Sequence, residues 1–208
     1  MKFFLLVLYF FEFINSFNVA VVGGGGDLGK EILYQGLVER KLKMIAFTES
    51  NKILIPYRGN TFNNVLSTPE LKNQNLQIEN YWQDIKNFKY DHLIFCTSAR
   101  PFGEDYSDEL TLKFLKNLPL NCKSISLVSA YGVGDSLDGA NIGIQVMNSL
   151  YLKDVYRAKN VQEELLNNSN LNIEKFIYRP KALSYGKTNI DSTSRKDLAK
   201  KILDDLNL

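Results

Sequence analysis

Apolar and polar positions along the chain follow two periods, one suited to strands and the other to helices. Asn18–Val22 (NVAVV) is a short, β-branched apolar run leading into four glycines, the composition of a strand buried on both faces. In the following stretch, 27–40, Leu28, Ile32, Leu33 and Leu37 fall at helical spacing. Lys43–Thr48 (KMIAFT) predicts a second strand. Glu49–Asn75 is rich in Asn and broken by Pro56, Gly59 and Pro69; its best candidate for a short strand is Ile53–Ile55. Leu76–Glu79 predicts a third main strand, Tyr81–Phe88 a helix, and His92–Thr97 (HLIFCT) and Ser124–Ser129 (SISLVS) two further strands. A long helix is expected over 144–167, a strand over 173–178, and a closing helix over 195–206 with Leu198, Ile202, Leu203 and Leu206 on one stripe. This alternation predicts an α/β domain built on a doubly wound parallel sheet with helices on both faces.

The first residues break the pattern. Met1–Phe17 reads MKFFLLVLYFFEFINSF, with a single early charge, Lys2, then nine apolar residues from Phe3 to Phe11. About 20 apolar residues are needed to span a bilayer, so no stable membrane span is expected here. A short n-region, a brief apolar run and a small residue, Ser16, resemble a secretory signal, although Glu12 interrupts it. Phe17 after Ser16 also resembles the end of the signal part of a bipartite plastid presequence, without the basic, Ser-rich stretch that would follow. The alternative is an apolar extension packed on the surface. The expected organisation is therefore residues 1–16 as extension or signal-like segment and residues 17–208 as one domain.

Composition narrows the chemistry. At 208 residues, 45% apolar and 23% charged, the chain has the make-up of an ordinary globular protein. Its net charge of +2, from 25 basic and 23 acidic residues, argues against a nucleic-acid binder acting through a strong basic field. Two cysteines, Cys96 and Cys122, make neither a disulfide framework nor a multi-thiolate zinc site. The single histidine, His92, leaves little for histidine-based metal sites or Ser-His-Asp catalysis. A borrowed cofactor is the expected source of any chemistry.

The glycine loop says which cofactor. Gly23-Gly24-Gly25-Gly26-Asp27-Leu28-Gly29 contains G-x-G-x-x-G at Gly24, Gly26 and Gly29, and G-x-x-G-x-x-G at Gly23, Gly26 and Gly29. Either spacing gives a tight turn, a backbone able to approach a pyrophosphate, and a glycine where helix meets strand. The helix start adds N–H donors and partial positive charge. Its place after a buried strand and before an amphipathic helix marks a Rossmann-type dinucleotide site. Glu49, 20 residues beyond Gly29, stands where an acidic side chain accepts from ribose hydroxyls and repels a 2′-phosphate. Glu49 reads alternatively as a solvated strand end, and Lys52 and Arg58 lie close by, so NAD and NADP both stay open. A nicotinamide cofactor is out of place in a secretory lumen, which leaves an organelle, a plastid among them, or the cytoplasm.

Four further segments carry a family resemblance: LVSAYGVG (Leu127–Gly134), YRAKNVQEELL (Tyr156–Leu166), IYRPKALSYG (Ile177–Gly186) and SRKDLAKKIL (Ser194–Leu203). In this order they resemble the atypical short-chain dehydrogenase/reductase superfamily, and within it the compact NAD(P)H-binding, NmrA-like group that includes biliverdin reductase B-type flavin reductases. The resemblance implies a bound dinucleotide and a substrate site over the nicotinamide. It implies that Thr97 and Ser98 line the cofactor and that Pro180, in the loop after the sixth strand, lies beside the nicotinamide.

The resemblance also supplies candidate catalytic residues. Active members place a Tyr four residues before a Lys; here Tyr156 precedes Lys159 by three, and Val155 holds the other position. Both side chains still share a helix face. Lys159 is the candidate cofactor lysine, or else a solvated residue beside its i+4 partner Glu163. Ser129 is the candidate hydroxyl that polarises a substrate. Tyr131 and Tyr156 are candidate proton donors, Tyr131 alternatively an aromatic wall and Tyr156 a core ring. His92 and Cys96 read as structural. Arg100 reads either as a phosphate contact or as a surface ion pair, and the acidic run Glu104, Asp105, Asp108 and Glu109 as a solvated loop leading into a helix. Only seven residues separate Gly186 from Ser194, so no separate substrate lobe is expected. Two functions follow: an NAD(P)-dependent oxidoreductase acting on a small carbonyl, quinone or flavin-like acceptor, or a non-catalytic NAD(P)-binding sensor or assembly subunit.

Overall fold

The computed structural model describes residues 16–49, 55–56, 65–66, 75–81, 85–97, 106–137 and 152–208. Six strands, β1 (Ser16–Val22), β2 (Met44–Thr48), β5 (Leu76–Asn80), β6 (Lys89–Phe95), β7 (Ser124–Val128) and β8 (Glu174–Tyr178), form one sheet in the order β5-β2-β1-β6-β7-β8. Every neighbouring pair is parallel. Four helices, α1 (Asp27–Tyr34), α2 (Ser107–Lys116), α3 (Lys153–Asn167) and α4 (Arg195–Asp205), cover it. Two short ribbons stand apart: β3 (Ile55–Pro56) runs antiparallel to β4 (Val65–Leu66), and β9 (Ala182–Ser184) runs parallel to β10 (Ser192–Ser194).

Alternation along β1 sorts the core into two layers. Val19 and Val21 join Leu28, Ile32 and Leu33 of α1 and Leu198, Ile202 and Leu203 of α4 on one face. Ala20 and Val22 join Leu110 and Phe114 of α2 and Leu166 of α3 on the other. The second layer is aromatic at its centre, where the Phe114 ring meets Phe47 edge-on at 4.9 Å and Phe95 at 5.8 Å, a favoured geometry for ring pairs. Strand order reverses between β1 and β6, so the crevice beyond their carboxyl ends is where ligands of such sheets bind.

The doubly wound fold agrees with the sequence expectation; several boundaries do not. The helix expected over 27–40 is α-helical only to Tyr34 and continues as a π-helical turn, Gln35–Glu39. Gln35 explains the change: its side chain is buried and bonded to Glu31 Oε1 at 2.8 Å and to the Lys196 carbonyl at 3.0 Å, while Gly36 lets the backbone press on Met44. The wider turn still carries Leu37 into the core. Of the helix expected over Tyr81–Phe88, residues 82–84 lie outside the described residues, and Ile85–Asn87 form a 3-10 turn. Strand β6 starts at Lys89, because Tyr90 and His92 both point inward, and ends at Phe95 rather than Thr97. Asp108 and Glu109 lie in the first turn of α2, where acidic groups complement the helix dipole, not in a loop. Residues 144–151, the expected first part of the long helix, and Ser98, Arg100, Glu104 and Asp105 lie outside the described residues. The β9–β10 pair was not foreseen, its strands being three residues each.

Truncation of Phe114, which is fully buried against two rings, tests the second layer. Phe114→Ala is expected to lower unfolding free energy by about 3–5 kcal/mol in urea denaturation.

Candidate functional site

The glycine loop caps the carboxyl end of β1. Gly23 turns the chain at φ +89°, and its N–H and that of Gly24 both donate to the Phe47 carbonyl of β2, at 3.0 and 3.2 Å. A Cβ on Gly23 would stand 2.9 Å from the Cys96 carbonyl carbon and the Thr97 nitrogen, so the β1 turn and the end of β6 touch through bare backbone. A Cβ on Gly29 would fall on the Gly23 carbonyl oxygen, and one on Gly24 would meet Ala46 Cβ at 2.9 Å. Gly26 is different. It is exposed, opens α1 without a side-chain cap, and its missing Cβ meets only the Gly23 oxygen at 3.3 Å. The turn, the open approach and the helix–strand packing thus fall to Gly23, Gly26 and Gly29, the second of the two spacings. Of the pair between them and the helix, Leu28 is a core residue, whereas the Asp27 side chain is half exposed and hydrogen-bonded to Tyr185. Tyr185 stacks on Arg195, 4.4 Å away, at the start of α4. Glu49 follows the last residue of β2 with its side chain exposed, and its carbonyl accepts from Asn80 Nδ2 at 3.3 Å.

Beside this loop, α3 turns a polar face inward. Val155, Ala158, Lys159, Gln162, Glu163 and Leu166 share one stripe at helical spacing. Lys159 is only 4% exposed; its ammonium donates to the Thr97 carbonyl just beyond β6 and, at 2.8 Å, to the Val128 carbonyl at the end of β7. The solvated alternative is thereby overturned: Lys159 is buried, and Glu163 pairs with another residue. Gln162, fully buried, donates from Nε2 to Thr97 Oγ1 at 3.0 Å and to Thr111 Oγ1 of α2 at 2.9 Å. Ser129 follows β7, its N–H donating to the Tyr178 carbonyl at 2.7 Å. Its hydroxyl is 5% exposed as a residue and has no hydrogen-bond partner among the described residues.

The same helix ties down the two loops that follow β7 and β8. Arg179 donates from Nε and Nη2 to the two Glu163 carboxylate oxygens, at 3.0 and 2.6 Å, and this bond raises the guanidinium pKa further. Removing the arginine alone would leave a nearly buried carboxylate uncompensated, a change of about 3 kcal/mol. Asn160 Oδ1 accepts from the Gly134 N–H at 3.0 Å, and Tyr131 N–H donates to the Pro180 carbonyl at 2.9 Å. Tyr156 donates its hydroxyl proton to the Tyr131 carbonyl at 3.0 Å. Of the predicted residues, the structure therefore gathers Lys159, Thr97 and Ser129 at the ends of β6 and β7. Tyr131 and Pro180 sit in the neighbouring loop pair and Tyr156 on α3 beside them, the three held together through main-chain oxygens.

Gln162, Asn160 and the Glu163–Arg179 pair were missed. A signal existed: Gln162 and Glu163 lie three and four residues beyond Lys159, hence on its face. His92 is structural as expected, though mid-strand: its Nδ1 lies 2.7 Å from Ser124 Oγ, and burial lowers its pKa. Cys96 lies just past β6, and burial pushes its thiol up to about 12, so it stays protonated. Among the described residues no group of His, Cys, Asp or Glu could hold a metal ion, and no helix is long and apolar enough to cross a membrane.

A parallel sheet reversing at β1/β6, with a glycine loop at the reversal and a buried lysine beside it, defines a compact Rossmann-type domain. Solved structures share this fold. The anaerobillin reductase ChuY from Escherichia coli O157:H7 superposes with a TM-score of 0.61 over 90% of this chain and 89% of its own, at 16% identity. The oxidoreductase ylbE from Lactococcus lactis gives 0.61 over 91% and 84%, also at 16%. A short-chain dehydrogenase/reductase from Veillonella parvula, solved in complex with NADP, gives 0.62 over 91% and 87%, at 14%. At these identities the likeness shows the fold. No family model matches the chain, and no curated protein matches it either.

The buried neutral His92 makes stability pH-dependent. Its folded pKa lies below its unfolded value near 6.5, so below about pH 6.5 the unfolded chain binds the extra proton and stability falls with pH. His92→Gln is expected to flatten the part of the urea-midpoint decline between pH 7.5 and 5.5 that this residue contributes.

Proposed function

We propose that this protein is an NAD(P)-dependent oxidoreductase that passes hydride to a small carbonyl, quinone or flavin-like acceptor. The observation that carries it is the junction of two features at one switch point: the open glycine turn at the start of α1, and Lys159 with Ser129 at the ends of β6 and β7. The residues present fit a dinucleotide. Gly26 leaves the α1 amides open to a pyrophosphate, with Gly23 and Gly29 making the turn and Leu28 fixing it to the core. Thr97 and Lys159 stand next to this turn through the Gly23–Thr97 contact, where the ribose nearest the reacting ring is expected, with Ser98 following and Pro180 across the crevice. Glu49, at the end of β2, opposes a 2′-phosphate and favours NAD over NADP.

A bound nicotinamide supplies the two-electron hydride chemistry; the rest belongs to the chain. The Ser129 hydroxyl, buried without a partner among the described residues, is the group to donate to an acceptor carbonyl oxygen and polarise it. Tyr131 forms the adjoining aromatic wall. Ser129 polarises the acceptor, and the proton for the reduced product comes from water rather than Tyr156, whose hydroxyl already donates to the Tyr131 carbonyl.

That commitment of Tyr156 also supports the second reading, a non-catalytic dinucleotide-binding sensor or assembly subunit. Reduced-nucleotide titration of the full chain, followed by nicotinamide fluorescence, comes first: micromolar binding is expected, with NADH at least as tight as NADPH. Binding of neither sinks both readings. With binding in hand, Ser129→Ala is expected to lower acceptor-reduction kcat by about 100-fold with Kd for the nucleotide within about twofold. A binder for which no carbonyl, quinone or flavin is reduced leaves the sensor.

A further inference from the structure

Lys159 is held by two main-chain oxygens, and a carbonyl oxygen is only as well placed as its backbone. The Val128 oxygen belongs to the last residue of β7, which pairs with Tyr178 of β8. Thr97 is different: it lies two residues beyond the end of β6, in the turn that leads to 98–105. Its backbone packs on Gly23, and its side chain is held by Gln162, one helical turn from Lys159, whose amide nitrogen bridges Thr97 Oγ1 and Thr111 Oγ1 of α2. All three side chains of this bridge are buried, and the Gln162 Oε1 has no partner among the described residues. An amide fully buried with one of its oxygen's bonds unmade is a costly choice for packing alone, since a leucine would fill similar space without the desolvation cost.

We propose that Gln162 is the positioning residue of the site: by tying Thr97 to α2 it sets the carbonyl that receives the Lys159 ammonium, and so places the lysine for nucleotide binding. The inference rests on the functional reading above for its nucleotide part, and on geometry alone for the hold on Lys159.

Two measurements separate those parts. In the ligand-free protein, the rate of Lys159 acetylation by acetic anhydride, followed peptide by peptide with mass spectrometry, reports how firmly the ammonium is held. Gln162→Leu is expected to raise that rate at least about fivefold relative to exposed lysines such as Lys200, since release of the buried amine exposes it. An unchanged rate overturns the proposal whether or not the wild type binds nucleotide. In the second measurement, Kd for NADH is compared for wild type, Gln162→Leu, Lys159→Met and the double variant. Gln162→Leu is expected to weaken binding about tenfold when Lys159 is present and less than about twofold when it is Met. Equal weakening in both backgrounds, or a lowered melting temperature with unchanged Kd and labelling, shows a residue that only supports the fold and overturns the proposal. Should Gln162→Leu not fold, Thr111→Val removes the outer anchor alone; a rise in Lys159 labelling of about twofold or more is expected, and no rise overturns the proposal. Wild-type protein that binds neither nucleotide defeats the functional reading, while the labelling result still decides what Gln162 holds.

Discussion

A buried ammonium shared between two strand ends is the constraint around which this molecule is arranged. Taking the Lys159 cation out of water costs several kcal/mol unless its N–H groups are satisfied, and the structure satisfies it with carbonyl oxygens of Thr97 and Val128. That choice has consequences for the sheet. It requires β6 and β7 to end almost level, so that one side chain reaches both, and it requires α3 to cross just above them. The main-chain register that pairs Phe95 with Leu127 brings this about.

From that anchor the rest of α3 follows. A helix crossing above strand ends faces loops on its inner side, and loops carry main-chain groups that regular pairing cannot satisfy. Polar residues of α3 reach these loops through main-chain and side-chain groups: Tyr156 the Tyr131 carbonyl, Asn160 at the exposed edge the Gly134 amide, Gln162 the Thr97 hydroxyl, Glu163 the Arg179 guanidinium. The loops after β7 and β8 are thereby fixed to one rigid element, as a site needs if its groups are to stand ready before a ligand arrives. The glycine loop reaches the same rigidity by the opposite device. It has no side chains to bond with, and instead packs backbone on backbone against β2 and β6.

These two devices differ in how visible they are in a sequence. The glycine loop was readable because close approach demands glycine at fixed intervals, and the demand shows in the letters. The sheet was readable because NVAVV, HLIFC and SISLV are runs that only a doubly covered strand tolerates. The α3 network was half readable. Lys159 stood out through a family likeness, but its burial did not, because a lysine followed four residues later by a glutamate is the usual pattern of an exposed helical pair. The competing partner was Arg179, whose place depends on how β8 returns to the sheet. The helix boundaries failed for a similar reason: the π-helical turn after Tyr34 depends on Gln35 finding the Lys196 carbonyl, a contact 161 residues away, which no local propensity encodes.

The Tyr156–Lys159 step gains a physical meaning from this arrangement. With a four-residue step the phenol and the ammonium stand one above the other, and the cation lowers the phenol pKa. With three residues both still face inward, but they reach different places: Lys159 the strand ends, Tyr156 the loop beyond β7. A phenol that donates to a main-chain carbonyl has its proton directed away from any acceptor, so it holds Tyr131 in place instead of delivering that proton. Under the proposed function, the hydroxyl left for an acceptor is that of Ser129, whose own N–H is held on the Tyr178 carbonyl. A serine hydroxyl is a weak acid and a good hydrogen-bond donor. It suits an acceptor that takes hydride readily and needs only polarisation, with its proton coming from water. For the oxidoreductase proposed above, that favours quinone-like and flavin-like acceptors over simple ketones, whose alkoxide product demands a proton in the same step.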